Sequence, residues 1–115
     1  MEKKYTWYKI AGGQEEIHFQ MNNMAVMEVN GKTISLARHQ DELFAFAHKC
    51  PHAGSILAEG SIDSKGNVVC PMHGYRFNVI NGRNVTGEGY TLMHWPVERR
   101  ENGIFVGMEE GLLSR

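Results

Sequence analysis

Cys50-Pro51-His52-Ala53-Gly54 and Cys70-Pro71-Met72-His73-Gly74 hold both cysteines of this 115-residue chain, and each run sets a histidine a few positions after its cysteine. Two thiolates and two imidazoles, divided between two loops that each carry proline and glycine, suit a metal centre far better than a packed core. The separations are Cys-x-His, seventeen intervening residues, then Cys-x-x-His. Each loop therefore offers one sulfur and one nitrogen. A single structural zinc accepts the same donor types but usually draws its first pair from a Cys-x₂₋₄-Cys hairpin, which is not the pairing here. A Cys50–Cys70 disulfide is a third reading. It leaves the two histidines and the repeated loop pattern without a purpose, and no feature of the chain points to an oxidising compartment.

Outward from these loops, turn signals recur between short apolar-alternating runs, the pattern of an all-β domain. Asn30-Gly31, the residue pair of a type I′ hairpin, separates Met24 to Val29 from Thr33 to Arg38. Gln40-Asp41 leads into Leu43 to Ala47. Lys65-Gly66-Asn67 precedes the second loop, Asn81-Gly82 follows Phe77 to Ile80, and Asn102-Gly103 joins Leu92 to Arg100 with Ile104 to Met108. No helix of useful length, low-complexity segment or domain-sized repeat is visible.

A chain of this length is expected to form one domain, residues 1–115, burying roughly 65% of its unfolded surface without disulfide staples. The net charge of −1 offers no electrostatic case for nucleic acid. No apolar run approaches the ~18 residues of a membrane span, and Met1-Glu2-Lys3-Lys4-Tyr5 is not followed by a signal-peptide core, so a cytoplasmic protein with no membrane partner is expected.

The ligand spacing resembles that of the Rieske-type [2Fe-2S] family, in which two cysteines hold one iron and two histidines the other. The resemblance runs from about Trp7 to about Gly107. It takes in the Gly after each histidine, the apolar stretch at Ile56 and Leu57, and Phe77 after the second loop. It implies one [2Fe-2S] cluster, with Cys50 and Cys70 on the inner iron and His52 and His73 on the outer iron through Nδ1. It also implies stacked antiparallel sheets built from both ends of the chain, with a cluster-binding subdomain at about 47–80. Gly54 and Gly74, lacking Cβ, are expected to let backbone amides come close to the sulfides.

Within that family this chain points to a low potential. The quinol-oxidising members carry a Ser and a Tyr, two and four residues after the second histidine, whose hydroxyls donate to a bridging sulfide and a cysteine sulfur; here those positions are Tyr75 and Phe77. Fewer donors stabilise the reduced cluster less, which places the midpoint toward roughly −150 mV. The extra disulfide of that class is expected to be missing, since its positions are Ser55 and Met72. The family's third loop, often Gly-Pro-Pro, corresponds to Thr86-Gly87-Glu88-Gly89-Tyr90, which without proline is expected to be less rigid.

Three functions remain open. The first is a one-electron carrier from a reductase to a terminal oxygenase or similar acceptor, docking through the tips of His52 and His73 with Lys49, Arg76 and Glu88 around them. The second is a small Rieske subunit of a larger redox enzyme, such as a nitrite reductase with its large subunit. The third is a non-redox zinc-binding module. No acid, base and nucleophile come together as a catalytic set, so no catalysis by the chain alone is expected. His18, His39, His48 and His94 read as surface or strand residues, and Met24, Met27 and Trp95 as packing.

Overall fold

Turn chemistry sets the architecture. The computed structural model describes residues 4–51, 54–72, 74–87 and 89–109. Within them the strands run β1 (Tyr5–Ala11), β2 (Met24–Val29), β3 (Lys32–His39), β4 (Glu42–Ala47), β5 (Ser61–Ile62), β6 (Asn67–Val69), β7 (Arg76–Asn78), β8 (His94–Trp95), β9 (Val97–Arg100) and β10 (Gly103–Glu109). They make three antiparallel sheets, ordered β1-β10-β9, β2-β3-β4-β8 and β5-β6-β7. The chain is all-β, and the helical elements among the described residues are two short 3₁₀ turns, Gln14–Glu16 and Leu57–Glu59.

β2 and β3 join through Asn30 and Gly31, whose φ angles of 52° and 81° are the left-handed pair of a type I′ turn, with Val29 opposite Lys32. Gln40 and Asp41 repeat this between β3 and β4 at 53° and 67° without a glycine. Each costs about 1–2 kcal/mol in that region, which the eight-residue β3 offsets by pairing on both sides. The last hairpin differs from expectation. Glu101 and Asn102 form its loop, and Gly103 opens β10 opposite Arg100 at φ 145°, where a Cβ would lie 2.6 Å from the Ala11 carbonyl oxygen. The run from Leu92 to Arg100 is also divided, because Pro96 has no N–H to continue a ladder. β8 pairs with β4 in one sheet and β9 with β10 in another, so the chain changes sheets at that proline.

The β2-β3-β4-β8 sheet is covered on both faces. Ile34, Leu36, Ala45 and Trp95 meet Ile104, Val106 and Met108 in one core. Met24, Ala37 and Phe46 face the other way, into a second core with Leu57, Val68, Phe77, Val79 and Leu92. Ile34 to Ala37 are accordingly buried without a break, as a strand between two layers requires. Complete burial of Phe46 and of Phe77 contributes roughly 1.5–3 kcal/mol each. Cys50 and Cys70 belong to this second core, so the packing that holds the third sheet also seats the sulfurs.

Candidate metal centre

Two hairpin ends carry the cysteines, and their backbones match. Lys49 pairs with Ile56 across the first end and Val69 with Arg76 across the second. Inside each pair, the cysteine N–H closes the loop: Cys50 donates to the Ser55 carbonyl at 2.8 Å, and Cys70 to the Tyr75 carbonyl at 2.7 Å. Gly54 and Gly74 stand at the same place in the two loops, with φ of 74° and 71°. A Cβ at either would meet nothing within 4 Å, so the left-handed backbone itself calls for glycine. The Gly54 N–H donates to the Cys50 carbonyl at 2.8 Å.

Both cysteines are free thiols, 2% and 1% exposed, so the disulfide alternative does not describe this structure. Burial pushes the Cys70 thiol up from its ordinary pKa; the Met72 N–H opposes this, the adjacent Cys50 adds to it, and the Ser55 hydroxyl lowers it. A buried thiol of this kind resists becoming an anion alone but becomes a good ligand once a cation supplies the positive charge. On its sulfur side the donor set therefore fits an iron–sulfur group. His52 and His73 lie outside the described residues, as does Glu88.

Phe77 is fully buried in the core that holds the cysteines, and Tyr75 is half-buried beside it. The Tyr75 ring lies 6.5 Å from that of Phe77 and 6.4 Å from that of Tyr90, which ties the third loop to the second. That loop has anchors that the sequence reading missed. Asn78 N–H donates to the Arg83 carbonyl at 2.9 Å, Val85 N–H to the Arg76 carbonyl at 2.9 Å, and Arg76 N–H to Thr86 Oγ1 at 3.3 Å. Residues 83–86, which lead into that loop, thus lie along β7.

Arg76, expected at the docking surface, is ion-paired. Its Nη1 pairs with Asp63 Oδ2 at 2.8 Å, while Asp63 Oδ1 accepts from the Lys65 and Asn67 N–H groups at 2.9 Å each. An Asp placed two residues before Lys65-Gly66-Asn67 is the sequence signal for such an Asx turn, although its reach to Arg76 is tertiary. Lys49 is exposed. Among the other histidines, His18 and His94 are exposed and His39 packs against Gly66. The Nδ1 of His48 is buried without a hydrogen-bond partner among the described residues. Met24 and Trp95 are core residues, and Met27 packs against the core.

Known proteins share this arrangement. The family profile of the Rieske [2Fe-2S] domain matches residues 6–92. The ferredoxin component of the naphthalene 1,2-dioxygenase/salicylate 5-hydroxylase systems of Ralstonia sp is 32% identical over 84 residues, which are 72% of this chain and 80% of that protein. Apoptosis-inducing factor 3 of Homo sapiens is 39% identical over 84 residues, 72% of this chain but 14% of that much longer protein. Among solved structures, a chain in the complex of reduced oxygenase and oxidized ferredoxin in carbazole 1,9a-dioxygenase is 26% identical. It superposes with a TM-score of 0.74 over 92% of this chain and 96% of its own length.

Proposed function

The chain belongs to the Rieske [2Fe-2S] domain family, and from that premise we propose that it takes single electrons from a reductase and delivers them to a terminal oxygenase or similar acceptor. Family membership brings one [2Fe-2S] cluster, a centre that accepts and releases one electron at a time, and makes the chain a carrier rather than a catalyst. Cys50, Cys70, His52 and His73 are its four ligands, and about 47–80 is the cluster-binding part of a single domain over 1–115. The observation that carries this reading is the pair of free, buried, adjacent thiols on two loops of matching backbone geometry.

Each residue near the site has a task that follows from where it lies. The two cysteine N–H bonds hold the sulfur-bearing residues at fixed places on the hairpin ends. Gly54 and Gly74 turn the chain tightly between the cysteine and the closing carbonyl. Phe77 and the rest of the second core exclude water from the sulfur side, and Tyr75 with Tyr90 keeps the third loop against the second. Low dielectric around the thiolates penalises accumulated negative charge, and neutral imidazoles in place of two further thiolates keep that charge small. No described helix is long and apolar enough to cross a membrane. We place the carrier in the cytoplasm, with protein partners and neither nucleic acid nor lipid among them.

Purified protein is expected to hold close to two iron and two acid-labile sulfide per chain and to be red-brown; a colourless protein with one zinc defeats the reading. Cys50→Ser and Cys70→Ser should each abolish assembly. For the partner, chemically reduced protein should re-oxidise on mixing with a terminal oxygenase of the aromatic-ring type. Failure there, together with co-purification of a large flavin- or haem-containing subunit, would identify it as a subunit of that enzyme instead.

A further inference from the structure

The likeness between the two cysteine loops extends to the residue that closes each. Ser55 in the first loop and Tyr75 in the second both follow a left-handed glycine, and both give their carbonyl to the cysteine N–H that opens the loop. Side chains paired across an antiparallel turn share a face. Cys50 and Ser55 therefore look the same way, toward the core that also holds Cys70. Tyr75 carries its hydroxyl at the far end of a ring packed beside Phe77 and Tyr90, whereas Ser55 presents a hydroxyl one bond from its Cβ.

We propose that the Ser55 hydroxyl is a hydrogen-bond donor to a ligand sulfur in the loaded protein and that it raises the potential of the bound cluster, as a positioning residue contributed by the first loop. This rests on the cluster reading above. The Ser55 Oγ is buried and has no hydrogen-bond partner among the described residues, an unfavourable state for a hydroxyl and one that few native groups keep. It lies on the face of the Cys50 side chain, at the core that also holds Cys70. A neutral thiol is a weak acceptor, while a metal-bound thiolate is a strong one, so the hydroxyl gains its partner when the sulfur becomes a ligand. One-electron reduction adds a negative charge to the centre and leaves every bond in place. A donor aimed at a ligand sulfur stabilises that more negative state more than the oxidised one. The sequence reading looked for such donors after the second histidine and found none; the fold supplies one from the opposite loop.

The test is a potentiometric titration of loaded protein, followed by visible absorption after iron and sulfide have been confirmed. Ser55→Ala should lower the midpoint enough to change the redox equilibrium with a fixed mediator by threefold to tenfold, about 28 to 59 mV for one electron. Ser55→Thr, which keeps a hydroxyl, should stay near the wild-type midpoint. Resonance Raman supplies a second readout: exchange into D₂O should shift an Fe–S(Cys) stretching band in the wild type and in Ser55→Thr, and shift it less in Ser55→Ala. An unchanged or raised midpoint in Ser55→Ala, or a Ser55→Thr protein that behaves like Ser55→Ala, overturns the proposal. If Ser55→Ala does not load, Ser55→Gly is titrated in its place, and the absence of any isotope shift in the wild type is equally decisive. A wild type without iron and sulfide overturns the cluster reading and this proposal together, while a loaded wild type with unmoved variants overturns this one alone.

Discussion

Replacing Asp63 by Asn should remove a stabilisation that is present at neutral pH and absent in strong acid. Partial burial alone would push the Asp63 carboxyl up, but hydrogen bonds from the Asn67 backbone and side chain, the Arg76 guanidinium and the Lys65 N–H outweigh it. Together they hold the group at about 2 instead of 3.8. A carboxyl held that low is worth at most roughly 2.4 kcal/mol at pH 7. The Asp63 side chain is 19% exposed but that of Arg76 is 45% exposed, so water screens the pair, and about 1 kcal/mol is the reasonable expectation. The sign follows from proton uptake. Between the two pKa values the unfolded chain binds more protons than the folded one, so stability falls as pH drops from about 5 to about 2 and this contribution is complete above about 5. Urea unfolding followed by the fluorescence of Trp7 and Trp95 measures it, in wild type and Asp63→Asn at pH 7, 5, 4 and 3. The difference between the two should be about 1 kcal/mol at pH 7 and shrink steadily below pH 5. A difference that stays constant down to pH 3, or that is already absent at pH 7, refutes the argument that ionised Asp63 anchors β7 beside the second cysteine loop.

Three further outcomes are expected. Gly82→Ala clashes with the Leu92 carbonyl oxygen and keeps an unfavourable φ of 75°, whereas Gly74→Ala has open space at φ 71°. The latter should cost about 1 kcal/mol, roughly 4 °C in Tm, and the former several times that, so equal losses in thermal melts would contradict the geometry. Phe77→Tyr adds a hydroxyl on the face shared with Tyr75, diagonal to Cys70; a charge-assisted bond of ~1.5–3 kcal/mol acting on the reduced state alone equals roughly 65 to 130 mV, so a rise of several tens of millivolts is expected. An unchanged or lowered midpoint with an intact cluster would mean that the hydroxyl finds no sulfur. Because Arg76 is already balanced by Asp63 while Lys49 is exposed next to Cys50, Lys49→Gln should change the salt dependence of electron transfer to the acceptor more than Arg76→Gln; stopped-flow rates across ionic strengths that respond equally would remove Lys49 from the docking surface.

Much of this protein could be read from short stretches of chain. Asn30-Gly31 placed a hairpin because only a few residue pairs accept two left-handed φ angles, and Gln40-Asp41 marked the next one despite lacking glycine. Cys50 and Cys70 declared a metal centre because two thiols set beside histidines, prolines and glycines have little use in a core, and the chain spacing separated the family from a simple zinc hairpin. These are local properties, carried by residues within a few positions of one another. Tertiary structure decided the rest. Ile34 to Ala37 show no alternation because two different layers cover β3, and nothing within those four residues says so. Asp63 meets Arg76 only because β5 and β7 flank β6 in one sheet, and the Ser55 hydroxyl is buried on the face of Cys50 only because the first cysteine loop closes between them. Glycine in the loops was legible, and the fold adds a left-handed φ at Gly54 and Gly74 as a reason for it. The sequence by itself determined where the chain turns and which sulfur and nitrogen atoms were candidates to bind a metal. Which neighbours tune those atoms was decided by the folded structure, because charges and hydroxyls act through space, over distances that the order of residues along the chain does not encode.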